Sequence, residues 1–319
     1  MEKQFHNHND FLTHLKNVHE NTEWRLYDPS GLSFVPDEQN ETGFVISDGL
    51  FTEEARECSL RSLYERYGVN APILDRIPAS ERATVLNYAA EYAGHKPMQC
   101  PVVFGKINAF LSTAYAPYPE YKLFEKLAHL GNTNGFVGNW DFDHCNALYR
   151  FEGLRSIGNE DYPVYLRVRT SDIGEGSVSF RAEFGKGSYL VPIMSDVYIV
   201  HKGANVENAI DQMVNSMSSI IDEKCRKLGN LMLVGITNPT AAAKRAAKYA
   251  RLPKKIVLEI LQDKEFDVTA TNAFDIYLVL SEVIERAAGE NDKIRYGGDL
   301  AKLIGARWEE FDLPGDFAW

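Results

Sequence analysis

Missing first of all is any cysteine pair at metal-binding or redox spacing: Cys58, Cys100, Cys145 and Cys225 stand far apart in a chain of 319 residues. Zinc knuckles and thioredoxin-type sites are thereby excluded, and four reduced, mostly buried thiols in a cytoplasm are expected. The start has no positive segment followed by an apolar run, and no apolar stretch approaches the ~20 residues that cross a bilayer, so no membrane partner is expected. The phosphate-loop pattern Gly-x-x-x-x-Gly-Lys-Ser/Thr is also absent. FGKINAF and FGKGSY lack the spacing that gathers backbone amides around a phosphate. No strand-to-helix nucleophile turn is written either, which points away from an enzyme and implies no cofactor.

Acids are missing from one window of an otherwise acidic protein. The formal net charge is −11, yet residues 224–255 hold nine bases and no acid: Lys224, Arg226, Lys227, Lys244, Arg245, Lys248, Arg251, Lys254 and Lys255. Lys244, Lys248, Arg251 and Lys255 recur at helical spacing on an Ala-rich segment, which makes a linear cationic stripe. A plain solvated face would offset the acidity of the rest; nine bases without an acid favour an anionic partner instead.

The hydrophobic fraction of 45% with 12% aromatics is ample for a core. Residues 1–43 are polar and read as a partly ordered arm, with a short helix after the stretch His6 to Asp10. Thr52 before Glu53 and Glu54 reads as a helix N-cap, with Leu60, Leu63 and Tyr64 as the buried stripe and Gly68 as the stop; Ser80 opens a second helix. From Val102 the period changes to two, and 164–170 with 177–184 reads as a hairpin joined through SDIGEGS. Strand alternation puts Val164, Leu166, Val168, Phe180, Ala182 and Phe184 on one face. Tyr165, Arg167, Arg169 and Arg181 fall on the other, an expected cationic face. Asn205 opens a long helix that Gly229 ends, and Asn238–Pro239 and Asn272 open two more.

Two groups have metal-ligand character, His6, His8 and Asp10 near the start and Asp141, Asp143 and His144 in WDFDH. Ordinary surface polarity is the favoured reading of both, so no metal is expected. The turn His201-Lys202-Gly203 between a strand and the long helix reads as structural, with Gly203 supplying the backbone freedom.

The stretches NAFLSTAYAPYPEYKLFEKL, DVYIVHKGANVENAIDQM and TATNAFDIYLVLSEV together resemble a phage/plasmid-like protein family of unknown function, over most of residues 44–307. The chain departs from that family where a Cys and an Asn-Gly precede the His-Lys-Gly turn; Pro192, Ile193, Met194 and Ser195 stand there. The resemblance implies a mobile-element protein of a bacterial cytoplasm and carries no settled activity. Such elements commonly encode single-strand annealing proteins built on a hairpin sheet backed by a long helix, and by analogy of fold the order of strands then helix at 164–228 is compatible with that class.

The expectation is therefore an α+β fold: an antiparallel sheet with a β-hairpin backed by a long helix, plus N-terminal and C-terminal helical segments. The expected divisions are an arm at 1–43, a helical segment at 44–97, an α+β core at 98–229, a helical segment at 230–307 and an acidic-aromatic tail at 308–319. The expected function is non-enzymatic binding of single-stranded DNA, as in recombination or annealing. Arg167, Arg169, Arg181, Lys244, Arg245, Lys248, Arg251, Lys254 and Lys255 would meet phosphates, and Tyr165 and Tyr249 would stack on bases. The alternatives are an interaction protein without DNA binding, such as a host-defence inhibitor or virion component, and a metal-dependent nuclease using Asp141 and Asp143. The tail is a candidate docking segment for a protein partner, and a homo-oligomer is compatible with all of these.

Overall fold

Phe11, Leu15 and Val18 recur at helical spacing among polar neighbours, and that stripe is enough to fix the N-terminal segment onto the protein. In the computed structural model, which describes residues 2–37, 44–69, 71–94, 96–129, 131–171, 177–203, 205–261, 271–315 and 317, Lys3–Phe5 is strand β1 and His8–Glu20 is helix α1. Asn7 caps α1, its Oδ1 accepting from the amides of Asn9 (2.8 Å) and Asp10 (3.2 Å). The expected short helix is present, and with β1 it ties the expected arm to the protein through a buried face.

The chain continues through β2 (Thr22–Tyr27), β3 (Ser33–Pro36), β4 (Phe44–Ser47) and β5 (Thr52–Ala55). Helices α2 (Glu57–Tyr67), α3 (Ala71–Leu74) and α4 (Ala79–Glu91) follow, then β6 (Met98–Val103), β7 (Lys106–Ile107) and β8 (Leu111–Ser112). These strands form one sheet in the order β2-β6-β7-β5-β4-β3, with β8 beside β6. The 44–97 segment is therefore not wholly helical, and Thr52 is no helix cap. Its neighbour Glu53 is buried in β5, where it accepts from the Tyr27 hydroxyl and pairs with Arg25. An acid pair after Thr fits a helix start and a strand carrying one buried acid equally well. The stop at Gly68 does hold, with φ at +66°.

The second sheet supports the site. After α5 (Glu120–Leu127) come β9 (Gly131–Trp140), β10 (Cys145–Ile157), β11 (Glu160–Thr170), β12 (Val178–Lys186), β13 (Tyr189–Pro192) and β14 (Val197–Ile199). Their order is β1-β9-β10-β11-β12-β13, with β14 beside β12. The hairpin has the expected inner face, since Val164 pairs with Phe184, Leu166 with Ala182 and Val168 with Phe180, all fully buried. The middle of its connecting loop, residues 172–176, lies outside the described residues. Helix α6 (Val206–Asn230) packs on this sheet through Ile210, Val214, Met217 and Ile221. This is an α+β fold whose hairpin is backed by a long helix. Gly229 does not end α6. A side chain there would stand 2.6 Å from the backbone nitrogen of Gly158, so the glycine admits the β10–β11 turn against the helix.

Among the described residues the α-helices α7 (Pro239–Tyr249), α8 (Lys254–Leu261), α9 (Ala273–Ala287) and α10 (Glu290–Leu300) follow, and then 3-10 turns at Ala301–Gly305 and Trp308–Glu310. Asn238 and Asn272 cap α7 and α9 as their positions foretell, through the amides of Ala241 (3.3 Å) and Asp275 (3.0 Å). No helix among the described residues is long and apolar enough to cross a membrane.

The outer face of β12 is covered at Arg181. Arg181 is 2% exposed and its guanidinium forks onto Asp196, with Nε to Oδ1 at 2.9 Å and a second bond to Oδ2. Gly297 and Gly298 of α10 lie over it, and a Cβ at either would meet the guanidinium at 3.1 or 3.0 Å. Glycine inside a helix costs roughly 1 kcal/mol relative to alanine, and here that cost admits a helix over an ion pair.

His201 is buried, stacked on Tyr115 at 5.2 Å between ring centroids, and Tyr115 also stacks with Trp24 at 6.1 Å. Its carbonyl accepts from the Ala116 amide, and Lys202 bridges to Tyr115. The turn thus ties the 115–116 segment to the start of α6, and Gly203 has φ +78°.

Two outcomes follow. Gly298→Ala is expected to lower stability by about 1–3 kcal/mol, although alanine is the better helix former, because the fork beneath cannot yield; an unchanged denaturant midpoint would contradict that account. Burial lowers the pKa of His201 and, against a hydrogen bond to the Phe124 carbonyl, that of His8 below the ordinary 6.5. A folded-state pKa below the unfolded one means stability is full above pH 6.5 and lost as pH falls through the folded values. Denaturation midpoints at pH 7 and pH 5 should show the fall, and His201→Phe, which keeps the stack, should lessen it.

Candidate nucleic-acid interface

The nine expected phosphate contacts divide into two groups that share no hydrogen bond, ion pair or cleft among the described residues. On the hairpin, Arg181 is enclosed with Asp196 and has no access to a polymer. Arg169 is half-buried and donates from Nε to Asn146 Oδ1 at 3.0 Å. Arg167 donates from Nε (3.1 Å) and an amino group (3.0 Å) to Glu183, whose carboxylate is buried. Two cations of the expected face are therefore neutralised, by acids two and fifteen residues beyond Arg181, the third is held by an amide oxygen, and α10 closes the face at its Arg181 end.

What stays open of that face is a cleft of about 550 Å³. Tyr165, Arg167 and Glu183 form its sheet wall, Glu285 of α9 and Lys293 of α10 its helix wall, and Ser188 and Tyr189 its rim. Of these residues the sequence singled out Tyr165 and Arg167. Nothing in local patterning brings Lys293 or Tyr189 to them, since the cleft forms only when α9 and α10 dock.

The second group sits on α7 and the start of α8. The inner face of α7 is alanine throughout, with Ala241, Ala242, Ala243, Ala246 and Ala247 all buried, and this turns the bases outward. Lys244 and Arg245 are half-buried, while Lys248, Arg251, Lys254 and Lys255 are exposed and Tyr249 is 54% exposed. Lys248, Arg251 and Lys255 enter no ion pair among the described residues, unlike Lys227 on α6, which pairs with Glu223 at 2.6 Å.

Arg251 stands out by its backbone. Its φ is +55°, the amide of Leu252 donates to the Ala247 carbonyl (2.9 Å) and its own amide donates to Lys248 (3.0 Å). This is the two-bond helix ending in which the left-handed position is ordinarily glycine. An L side chain there costs roughly 1–2 kcal/mol. The strain places a cation at the corner between α7 and α8, beside Lys248, Lys254 and Lys255.

The tail docks on the same helix. Asp312 accepts from the amides of Thr237 (2.8 Å) and Asn238 (2.9 Å) at the start of α7, and these bonds hold its carboxyl below the usual range. Arg245 donates to the carbonyls of Phe311 and Leu313, both at 2.9 Å, and Gly315 at 3.2 Å. Phe311 is buried against Tyr249 and Trp308, and Phe317 lies 5.3 Å from the Lys248 ammonium. The segment to Phe311 is thus part of the core. Arg245 is a tail clamp, while Asp316 and Trp319 lie outside the described residues.

Asp141, Asp143 and His144 do approach one another, each offering a ligand atom within 4.8 Å of the others. Asp141 Oδ1 accepts from the amides of Asp143 (2.7 Å) and His144 (2.6 Å), so the group has a structural reason as a turn. His6, His8 and Asp10 form no such group among the described residues; His8 is buried and bonds to the Phe124 carbonyl and the Tyr149 hydroxyl. No protein-family model, curated protein or solved structure matches this chain. The interface is accordingly defined by its own geometry and by no relative.

Proposed function

We propose that the protein binds single-stranded DNA across the corner where α7 meets α8, without acting on it chemically. The observation that supports this reading is the run of exposed cations Lys248, Arg251, Lys254 and Lys255, one of them held there in a strained backbone. Point charges along an exposed edge suit phosphates, and the free part of the Tyr249 ring offers a stacking face. The short reach of the corner suits a few nucleotides rather than a long duplex groove. The hairpin cations have no part in it, and Arg245 acts by holding the tail.

Charge reversal at Lys248 and Arg251 together should weaken binding of a labelled oligothymidylate and flatten the dependence of log affinity on log salt, by about 0.7 in slope per lost phosphate contact on a single strand. A folded double variant with unchanged affinity and slope would remove the corner from the site, and absence of DNA binding by the native chain would favour an interaction protein. Arg251→Gly separates fold from function. It should leave stability equal or up to about 1 kcal/mol higher, because glycine suits the left-handed position, while oligonucleotide affinity falls. Loss of stability in that variant would show that the arginine is there for the fold.

A further inference from the structure

The cleft between the hairpin's outer face and helices α9 and α10 is a second binding site, and we infer that it takes a small phosphate monoester with a flat body, of mononucleotide size. The inference stands apart from the α7–α8 corner. At about 550 Å³ the cleft has the volume of a small-molecule site. It is closed towards Arg181 by Gly297 and Gly298, so a polymer cannot run along it.

Arg167 carries the argument for a phosphate. A guanidinium has five N–H donors. Two of them go to Glu183, and among the described residues the others have no protein acceptor. The buried carboxylate fixes the plane of the fork, and the side chain remains 29% exposed at the cleft wall. A guanidinium pinned on one edge and free on the other is preorganised for two oxygens of a phosphate. Lys293 faces it from α10, engaged by Glu285 at 3.0 Å, and each acid of the cleft is thus already matched by its cation. The hydroxyls of Ser188 and Tyr189 add donors at the rim, and burial keeps the tyrosine protonated.

The rest of the lining argues for the flat body. Leu190, Ile284 and Ile294 supply an apolar strip. The Tyr165 ring covers Gly185, where a Cβ would stand 3.3 Å from it, so the sheet wall is smooth at that point. A phosphate on Arg167 with a planar ring against this strip uses both halves of the cleft. Inorganic phosphate uses one half, and a nucleoside the other.

Calorimetric titration of the full chain with AMP, with adenosine and inorganic phosphate as controls, tests the assignment. One-to-one binding of AMP is expected, with adenosine weaker by about tenfold or more, since it loses the charge-assisted bonds. Arg167→Lys keeps the charge but loses the fork and should weaken AMP by a similar factor. Ser188→Trp, on an exposed turn, should block the mouth without disturbing the fold. If Arg167→Lys melts early, Ser188→Trp decides alone. No binding of AMP, equal binding of AMP and adenosine, or unchanged affinity in folded Ser188→Trp would each overturn the inference.

Discussion

A guanidinium taken almost wholly out of water has to meet a carboxylate in fixed geometry, and the Arg181–Asp196 pair is where the C-terminal half of this protein is held in register. The pair joins β12 to the segment before β14, and that segment reaches the last helices in turn. The Ser195 hydroxyl donates to the Gly298 carbonyl at 2.8 Å, and the Tyr277 hydroxyl donates to Pro192 at 2.6 Å. The Tyr198 hydroxyl adds a bond to Asp196 at 3.2 Å. Replacing such a pair with well-packed apolar groups is often neutral, but removing one partner typically costs about 3–5 kcal/mol. Its role is positional: it sets how far α10 slides over the sheet, and so where the cover stops and the cleft begins.

Much of the fold was legible because burial imposes a period. The hairpin announced itself by alternation, with Val164, Leu166 and Val168 opposite Phe184, Ala182 and Phe180, and α6 by its repeat of Ile210, Met213, Val214 and Met217. The caps Asn238 and Asn272 act locally and were equally plain. Elements whose reason lies far off in sequence were not legible. Glu53 looks like a first-turn helix acid until Tyr27 and Arg25 are placed beside it. Gly229 looks like a helix stop until Gly158 is packed on it.

The same distinction separates the two groups of candidate site residues. Alternation says to which side Arg181 points but not what covers that side, and its cover comes from Gly297 and Gly298, more than a hundred residues later. The basic helix was readable because its own alanine face fixes which way its lysines turn. The surroundings of Arg245 are non-local, since the carbonyls it clamps belong to the tail. The left-handed backbone of Arg251 lies between these cases. The Leu252-Pro253 boundary marks the end of the helix, but an arginine in the place of a glycine shows only in the folded backbone.

The inner face of α7 sets an unequal tolerance to sequence change. Five buried alanines leave no room for a larger side chain, and each substitution there would push the helix off its neighbours. The outward bases touch little besides the tail. The alanine positions of this helix are therefore fixed by volume, while its outward bases are constrained by no packing and only by what they bind.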